Sequence, residues 1–171
     1  MKLLYSLLTG WLLLPFSSYA QTARKGTFDK MIAGSIKALP CPAPNEQEPV
    51  TLNTALVKLA ASGQMAVIIK ARMAPGWHLY AYVPSDMPYI RTECLLELSP
   101  GITAVGGWQK SRAIPSGTDR GVLLWEQEVV FVQRLRLGKN SKGRLRAGLS
   151  YQACDLRQCL PPADKWFDLV F

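Results

Sequence analysis

A two-residue alternation of apolar and polar side chains constrains the fold of this chain more than any other feature of its sequence. The alternation runs through residues 66–73, 92–98, 129–137 and 144–154, and a last strand is expected over residues 165–171. A period of two places successive side chains on opposite faces of a strand. Residues 50–60 suit either a strand or a helix. The pattern predicts short, half-buried β-strands.

Turn residues separate these strands, and Gly138–Gly143 predicts a hairpin loop between two of them. About seven short strands with Gly and Pro between them are typical of an immunoglobulin-like antiparallel β-sandwich. A small barrel is the alternative. With 171 residues, 49% of them apolar, the chain is long enough for one domain with a sizeable core. We therefore predict an all-β domain over residues 50–171.

The first twenty residues have the pattern of a secretory signal peptide. Lys2 is followed by an apolar run over residues 3–14, Pro15, and small residues up to Ala20. The run is shorter than the about 20 residues that a membrane-spanning helix needs. We expect cleavage after Ala20, no stable membrane insertion afterwards, and export into an oxidising compartment where disulfides persist.

Residues 21–49 form a leader ahead of the domain. Apolar residues at helical spacing predict a short helix behind Thr27, a candidate N-cap, and Pro40 would end it. The prolines at 40, 42 and 44 then favour an extended linker.

The chain is basic, with 20 Lys and Arg against 12 Asp and Glu and a formal net charge of +8. Six basic residues gather on one predicted hairpin: Arg134, Arg136, Lys139, Lys142, Arg144 and Arg146. Export argues against nucleic acid as the partner of this patch. A solvated face is the default interpretation, and an acidic protein or an anionic envelope surface is the alternative. Glu126 and Glu128 are interpreted as a solvated strand edge.

Cys154 and Cys159 lie at the end of one predicted strand and ahead of the next, with four residues between them. Opposed residues of an antiparallel pair have Cα atoms roughly 4.5–5.5 Å apart, which a disulfide can span. Spacing alone favours a structural bridge and leaves a redox pair open. The strand phase puts Cys154 on the polar face, so we expect an accessible thiol. Arg157 would stabilise a thiolate and Asp155 would oppose it.

The remaining candidate ligands are few. Cys94 is in phase with Leu96 and Leu98, which predicts a buried and unreactive thiol, whereas Cys41 lies in the Pro-rich linker. Whether these two cysteines are bridged is open. A second closely spaced ligand pair for zinc is missing, so we expect neither metal nor cofactor. For the single histidine, His78, the default interpretation is a packing role on a strand.

A family resemblance adds to this reading. Tyr151-Gln152-Ala153-Cys154, followed by Cys159-Leu160-Pro161-Pro162, resembles the signature of the amino-terminal periplasmic domain of DsbD, the thiol:disulfide interchange protein. Residues 75–80, 96–108 and 121–137 resemble further segments of that family in the same order. The resemblance covers roughly residues 50–171.

The resemblance implies a periplasmic domain of immunoglobulin-like fold that acts as a component of a protein-disulfide reductase. It implies that Cys159 forms the mixed disulfide with a partner and that Cys154 resolves it. His78 and Tyr80 match an aromatic pair that shapes the pocket, with His78 in place of a residue that is often Tyr. Thioredoxin-like proteins would be the partners, and because this chain stops at Phe171, a membrane electron donor would act in trans.

One segment departs from the family. The cap loop of that family carries an aromatic residue that shields the cysteines, but the matching residues 110–120 of this chain contain none. Ile114 is the expected substitute. The competing hypothesis is a non-catalytic secreted binding module with an immunoglobulin-like fold, in which the same bridge only stiffens a loop.

Overall fold

The computed structural model describes residues 17–139, 141 and 143–171, with side chains from residue 26 onward. Residues 1–16, most of the predicted signal peptide, and Lys142 of the predicted basic patch lie outside the described residues. One helix and eleven strands are found there: Ser17–Ala38 (α1), Val50–Leu59 (β1), Gln64–Met73 (β2), His78–Tyr82 (β3), Glu93–Leu98 (β4), Ile102–Lys110 (β5), Ile114–Pro115 (β6), Leu123–Glu126 (β7), Glu128–Leu137 (β8), Arg144–Tyr151 (β9), Ala153–Cys154 (β10) and Ala163–Val170 (β11). A 3₁₀ turn spans Ala60–Ser62.

The strands form antiparallel sheets, which confirms the predicted all-β sandwich. The first sheet has the order β1-β2-β8-β5, the second β10-β3-β7-β6 and the third β11-β9-β4. The main core lies between the first sheet and the other two, with Phe131, Leu135 and Ile69 from one side and Leu79, Trp125 and Leu149 from the other. The ambiguous residues 50–59 are strand β1, because they pair along their whole length with β2.

The predicted hairpin between β8 and β9 is wrong. The two strands belong to different sheets, because β8 pairs with β2 and β5 whereas β9 pairs with β4 and β11. The chain therefore passes from one sheet to the other between Leu137 and Arg144. The two-residue period predicts β2, β4, β8 and β9 but does not mark β3, β5, β6 and β7, and it does not say which strands are neighbours.

The leader packs against the domain. Phe28 and Ile32 of α1 are buried on the outer face of the first sheet, against Ala66, Ile68 and Val132. This contact explains why β2 is buried on both faces rather than half-buried as predicted. The helix is also longer than expected and runs through Thr27, so Thr27 is not its N-cap. No helix in the described part of the chain is long and apolar enough to cross a membrane.

Candidate functional site

The two cysteines close a tight hairpin between β9–β10 and β11. Leu160 N–H donates to the Ala153 carbonyl at 2.8 Å, and Asp155 N–H donates to the Gln158 carbonyl at 2.9 Å. Cys154 and Cys159 face each other between these two hydrogen bonds as an antiparallel pair. Their sulfurs are bonded, with the Cα atoms 4.0 Å apart. The structure thus contains the predicted bridge.

Asp155 shapes the loop that joins the cysteines. Its Oδ1 accepts hydrogen bonds from the backbone N–H groups of Arg157 at 2.7 Å and Gln158 at 2.8 Å. Such a side-chain turn fixes the chain reversal locally. The same two hydrogen bonds, first that from Arg157, lower the pKa of the Asp155 carboxyl. Asp155 therefore has a conformational role in addition to the charge that the sequence suggested.

The two cysteine residues differ in exposure. Cys154 is 1% exposed and packs with Tyr80, Val122 and Leu124, whereas Cys159 is exposed. The expectation of an accessible Cys154 is wrong. Gln152 interrupts the strand, and β10 then pairs with β3 in another sheet, so the phase of β9 does not continue to Cys154.

His78 lies next to the disulfide because β3 pairs with both β10 and β7. It is opposite Cys154 on one side and opposite Glu126 on the other. Burial lowers the pKa of the imidazole, an effect that the nearby carboxylates Glu126, Asp119 and Asp155 partly oppose. The ring is neutral at neutral pH as a result.

Two further aromatic rings, those of Tyr80 and Tyr89, continue from His78. The His78 and Tyr80 rings meet edge-on with centroids 5.1 Å apart, and Tyr80 stacks on Tyr89 at 4.6 Å. The Tyr89 hydroxyl donates to Asp119 Oδ1 at 3.3 Å. Burial, followed by the proximity of Tyr89 and Asp119, raises the pKa of Tyr80 to about 12, so its hydroxyl stays protonated.

These side chains line a cavity of about 410 Å³ that opens beside Cys159. Asp155, Leu156, Arg157 and Gln158 complete one wall, and Thr118 and Asp119 contribute another. The cavity brings together five predicted site residues: His78, Tyr80, Asp155, Arg157 and Cys159. Cys154 is not among the described residues that line the cavity, and it lies opposite His78 on the neighbouring strand.

Ile114 lies elsewhere. It is on β6 opposite Leu124, is 45% exposed, and is not among the described residues that line the cavity. Within the segment 110–120, Thr118 and Asp119 line the cavity instead. The aromatic residue over Tyr80 is Tyr89, which comes from the loop between β3 and β4.

Sequence reasoning missed Tyr89 as a site residue. It lies nine positions beyond Tyr80, in a loop between Pro88 and strand β4, and no local motif marks it. The sequence marks Asp119 only as a member of the segment 110–120, which contains no aromatic residue. Since both come from loops that meet only in the folded chain, their contact could not be read from spacing.

No protein-family model and no curated protein sequence matches this chain. Solved structures do match its fold. The N-terminal periplasmic domain of ScsB from Proteus mirabilis aligns with 75% of this chain at a TM-score of 0.52 and 20% identity. This chain has the fold of that domain. It spans about half of the ScsB chain, 49% of its length.

Two further structures are similar at lower scores. The N-terminal domain of DsbD from Neisseria meningitidis, in its reduced form, aligns with 69% of this chain and 84% of its own at a TM-score of 0.45 and 17% identity. The GAE domain of GGA2p from Saccharomyces cerevisiae aligns with 78% of this chain and 96% of its own length, at a TM-score of 0.41 and 5% identity. The resemblance to amino-terminal domains of the DsbD type is confirmed at the level of fold, and the ScsB domain carries that conclusion.

The other two cysteines, Cys41 and Cys94, are free thiols. Cys41 Sγ lies 3.5 Å from the Thr51 carbonyl oxygen, which places it against β1. Burial raises the pKa of Cys94 to about 11, so this thiol is protonated and unreactive at neutral pH. The Cys41–Cys94 bridge that the sequence left open is not formed.

The predicted basic patch is partly neutralised. Arg134 pairs with Asp29 of α1, and Arg146 pairs with Glu97 and Asp168. Because carboxylates offset the charges of these guanidinium groups, the net positive charge of the patch is smaller than the sequence suggested. Glu126 and Glu128, interpreted as a solvated edge, line a separate cavity beside Trp77.

Proposed function

We propose that this chain is a thiol–disulfide exchange relay that passes reducing equivalents between thioredoxin-like proteins through Cys154 and Cys159. One observation carries the proposal: Cys159, an exposed residue that lines a cavity, is bonded to Cys154, which is buried. A bridge that only fastened two strands would not need this asymmetry. A partner's thiolate can reach Cys159, whereas the protein covers Cys154.

Reduction of the chain would proceed in two exchanges. A thiolate of the donor attacks Cys159 Sγ, so that a donor–Cys159 bond forms while the Cys154–Cys159 bond breaks and Cys154 leaves as a thiolate. The donor's second thiolate then attacks its own sulfur in the mixed disulfide and releases Cys159. Two electrons reach this chain, and its two thiolates take protons from water.

Delivery to an acceptor reverses these roles. The Cys159 thiolate attacks the acceptor disulfide and forms a mixed disulfide, releasing one acceptor thiolate. The Cys154 thiolate then attacks Cys159 Sγ, which restores the internal bridge and frees the second acceptor thiolate. Because Cys154 faces Cys159 across an antiparallel pair, the resolving sulfur needs no large movement to attack.

The pair of single-serine variants tests these roles. We expect reduced Cys154→Ser to accumulate a mixed disulfide with a thioredoxin-like protein that keeps only its reactive cysteine, activated as a mixed disulfide with thionitrobenzoate. Cys159 attacks and releases thionitrobenzoate, and neither Cys154 nor a second partner cysteine is present to resolve the product. Cys159→Ser, with the same loss of one thiol, should accumulate none. Non-reducing gels and intact mass measure both, and equal trapping by the two variants would contradict the assignment.

The reduction potential separates the relay from a structural bridge. Structural disulfides of secreted proteins have potentials below about −300 mV, whereas exchangeable ones are higher. We expect a value above that limit from equilibration with glutathione buffers. A lower value, with no opening by mild reductant, would support the non-catalytic binding module instead.

The cellular location follows from the same proposal. The matching ScsB domain is described as periplasmic, and we infer the same compartment, with residues 1–20 as a cleaved signal peptide. Cleavage after Ala20 would remove four residues of α1 and leave the buried Phe28 and Ile32 in place. Amino-terminal sequencing of the exported protein should begin at Gln21.

A further inference from the structure

A groove leads away from the cysteine hairpin on the side of Trp77. A cavity of about 540 Å³ shares Asp155 and Gln158 with the cavity at Cys159. A larger one of about 720 Å³ shares Pro44, Ala74, Pro75 and Trp77 with it. We call these two joined cavities the leader groove, because residues 43–46 of the leader form one of their walls.

The segment that leads into the leader wall is held against β1 by hydrogen bonds. Asn53 Nδ2 donates to the Pro40 carbonyl at 2.7 Å, and Thr51 Oγ1 donates to the Pro42 carbonyl at 2.6 Å. Asn45 closes a turn, since its Oδ1 accepts from the N–H groups of Gln47 and Glu48 at 2.9 Å. A wall fixed in this way costs little ordering entropy when a partner binds.

The floor and the rim of the leader groove differ in chemistry. Pro44, Ala74, Pro75 and Trp77 supply an apolar floor. Around them lie four carboxylates, Glu46, Glu126, Glu128 and Asp155, and a single guanidinium, Arg72. Lys70 offsets part of the charge of Glu128, at 3.5 Å.

The acidic rim stands out because the chain as a whole is basic. Among the residues that the structure describes, four acidic residues and one basic residue line this groove, although the whole sequence has 12 acidic and 20 basic residues and a formal net charge of +8. A low-dielectric cleft with walls of one sign concentrates the local field and attracts groups of the opposite charge. An apolar floor that contains a half-buried Trp, here Trp77, is typical of protein-recognition surfaces.

We propose that the leader groove binds a segment of the partner protein that carries basic and apolar side chains and adjoins the partner's reactive cysteine. This inference rests on the proposed relay function, because the groove ends at Asp155 and Gln158 of the loop that carries Cys159. Basic side chains meet the carboxylate rim while apolar ones cover Trp77 and the prolines. The groove thereby selects partners and orients their sulfur toward Cys159.

Charged cysteine peptides test the proposal on the full oxidised chain. Two peptides of equal length, one with Lys and one with Glu around a single Cys, serve as reductants. Their rates with a small neutral disulfide correct for the intrinsic reactivity of each thiol. At low salt we expect the basic peptide to open the Cys154–Cys159 bridge about tenfold faster than the acidic one, and the ratio to fall toward one at high salt.

Matched neutralising substitutions locate the effect. Glu46→Gln with Glu126→Gln should lower the basic-to-acidic rate ratio at least about threefold. Glu97→Gln removes one carboxylate that pairs with Arg146 on β9, outside the groove, and should leave the ratio unchanged. Using a ratio cancels any change that Glu126→Gln causes in His78 and hence in Cys159 itself.

A thiol-free binding measurement separates docking from exchange. A fluorescent basic peptide with Ser in place of Cys should bind the wild-type chain, and Trp77→Ala should weaken that binding at least about fivefold. Equal corrected rates for both peptides, with no binding of the Ser peptide, would overturn the docking proposal and leave the relay intact. Binding of the Ser peptide without any opening of the bridge would overturn the relay and support docking.

Discussion

His78 illustrates how neighbouring strands set the chemistry of one residue. Its ring lies between Cys154 and Glu126 on adjacent strands, and burial lowers its pKa below the usual 6.5. The folded chain therefore binds a proton less readily than the unfolded chain. Its contribution to stability is present above about pH 6.5 and is lost as the pH falls toward the folded-state pKa.

We therefore expect the free energy of unfolding to decrease from about pH 7.5 to about pH 5 more in the wild type than in His78→Gln. Urea titrations at several pH values measure this difference. Because His78 is the only histidine, its NMR titration reports the folded-state pKa directly. A midpoint at or above 6.5 would contradict the prediction.

Tyr89 is the second residue whose role depends on its surroundings. It covers Tyr80 by stacking and is tied to Asp119 by its hydroxyl. We expect Tyr89→Ala to raise the rate at which small thiols open the disulfide by roughly threefold to tenfold, because the cavity wall beside Cys159 is removed. Tyr89→Phe keeps the stack and loses only the hydrogen bond, so its rate should stay near that of the wild type. Equal rates for all three proteins would show that Tyr89 does not shield the site.

At the scale of elements, α1 changes the character of the sheet that it covers. Its Phe28 is 1% exposed and also meets the Arg134 guanidinium, 5.7 Å from the ring centroid. Without the helix, Ala66, Ile68 and Val132 would face water. The leader thus belongs to the folding unit, although its sequence indicated only a short helix ahead of a linker.

Phe28→Ala should lower the free energy of unfolding by about 3–5 kcal/mol, since it leaves a cavity between α1 and the first sheet. Lys37→Ala on the exposed side of the same helix should change it by less than about 0.5 kcal/mol. Chemical denaturation of both variants measures the contrast. Similar values for the two would mean that α1 contributes no packing energy.

For the whole molecule, the disulfide is a small part of the stability. It joins residues only five positions apart, so it removes little conformational entropy from the unfolded chain. Closing a loop of this length with a disulfide stabilises the folded chain by about 2 kcal/mol. The core between the sheets does not depend on the bridge.

Reduction of Cys154–Cys159 should therefore lower the free energy of unfolding by about 2 kcal/mol and leave the domain folded. Far-ultraviolet circular dichroism and urea titration with and without reductant measure this. A relay must keep its fold in both redox states. Unfolding upon reduction would instead indicate a structural bridge and contradict the proposed function.

By itself, the sequence predicted the all-β class, the strands β2, β4, β8, β9 and β11 and the position of the disulfide, because each depends on local periodicity or on a short loop. It did not locate β3, β5, β6 and β7. The tertiary structure alone decided which strands are neighbours, that β8 and β9 lie in different sheets, and that Cys154 is buried while Cys159 is exposed. It also brought Tyr89 and Asp119 together, 30 residues apart in the chain. The physical reason is that pairing partners and burial depend on contacts between distant segments, which no local pattern encodes.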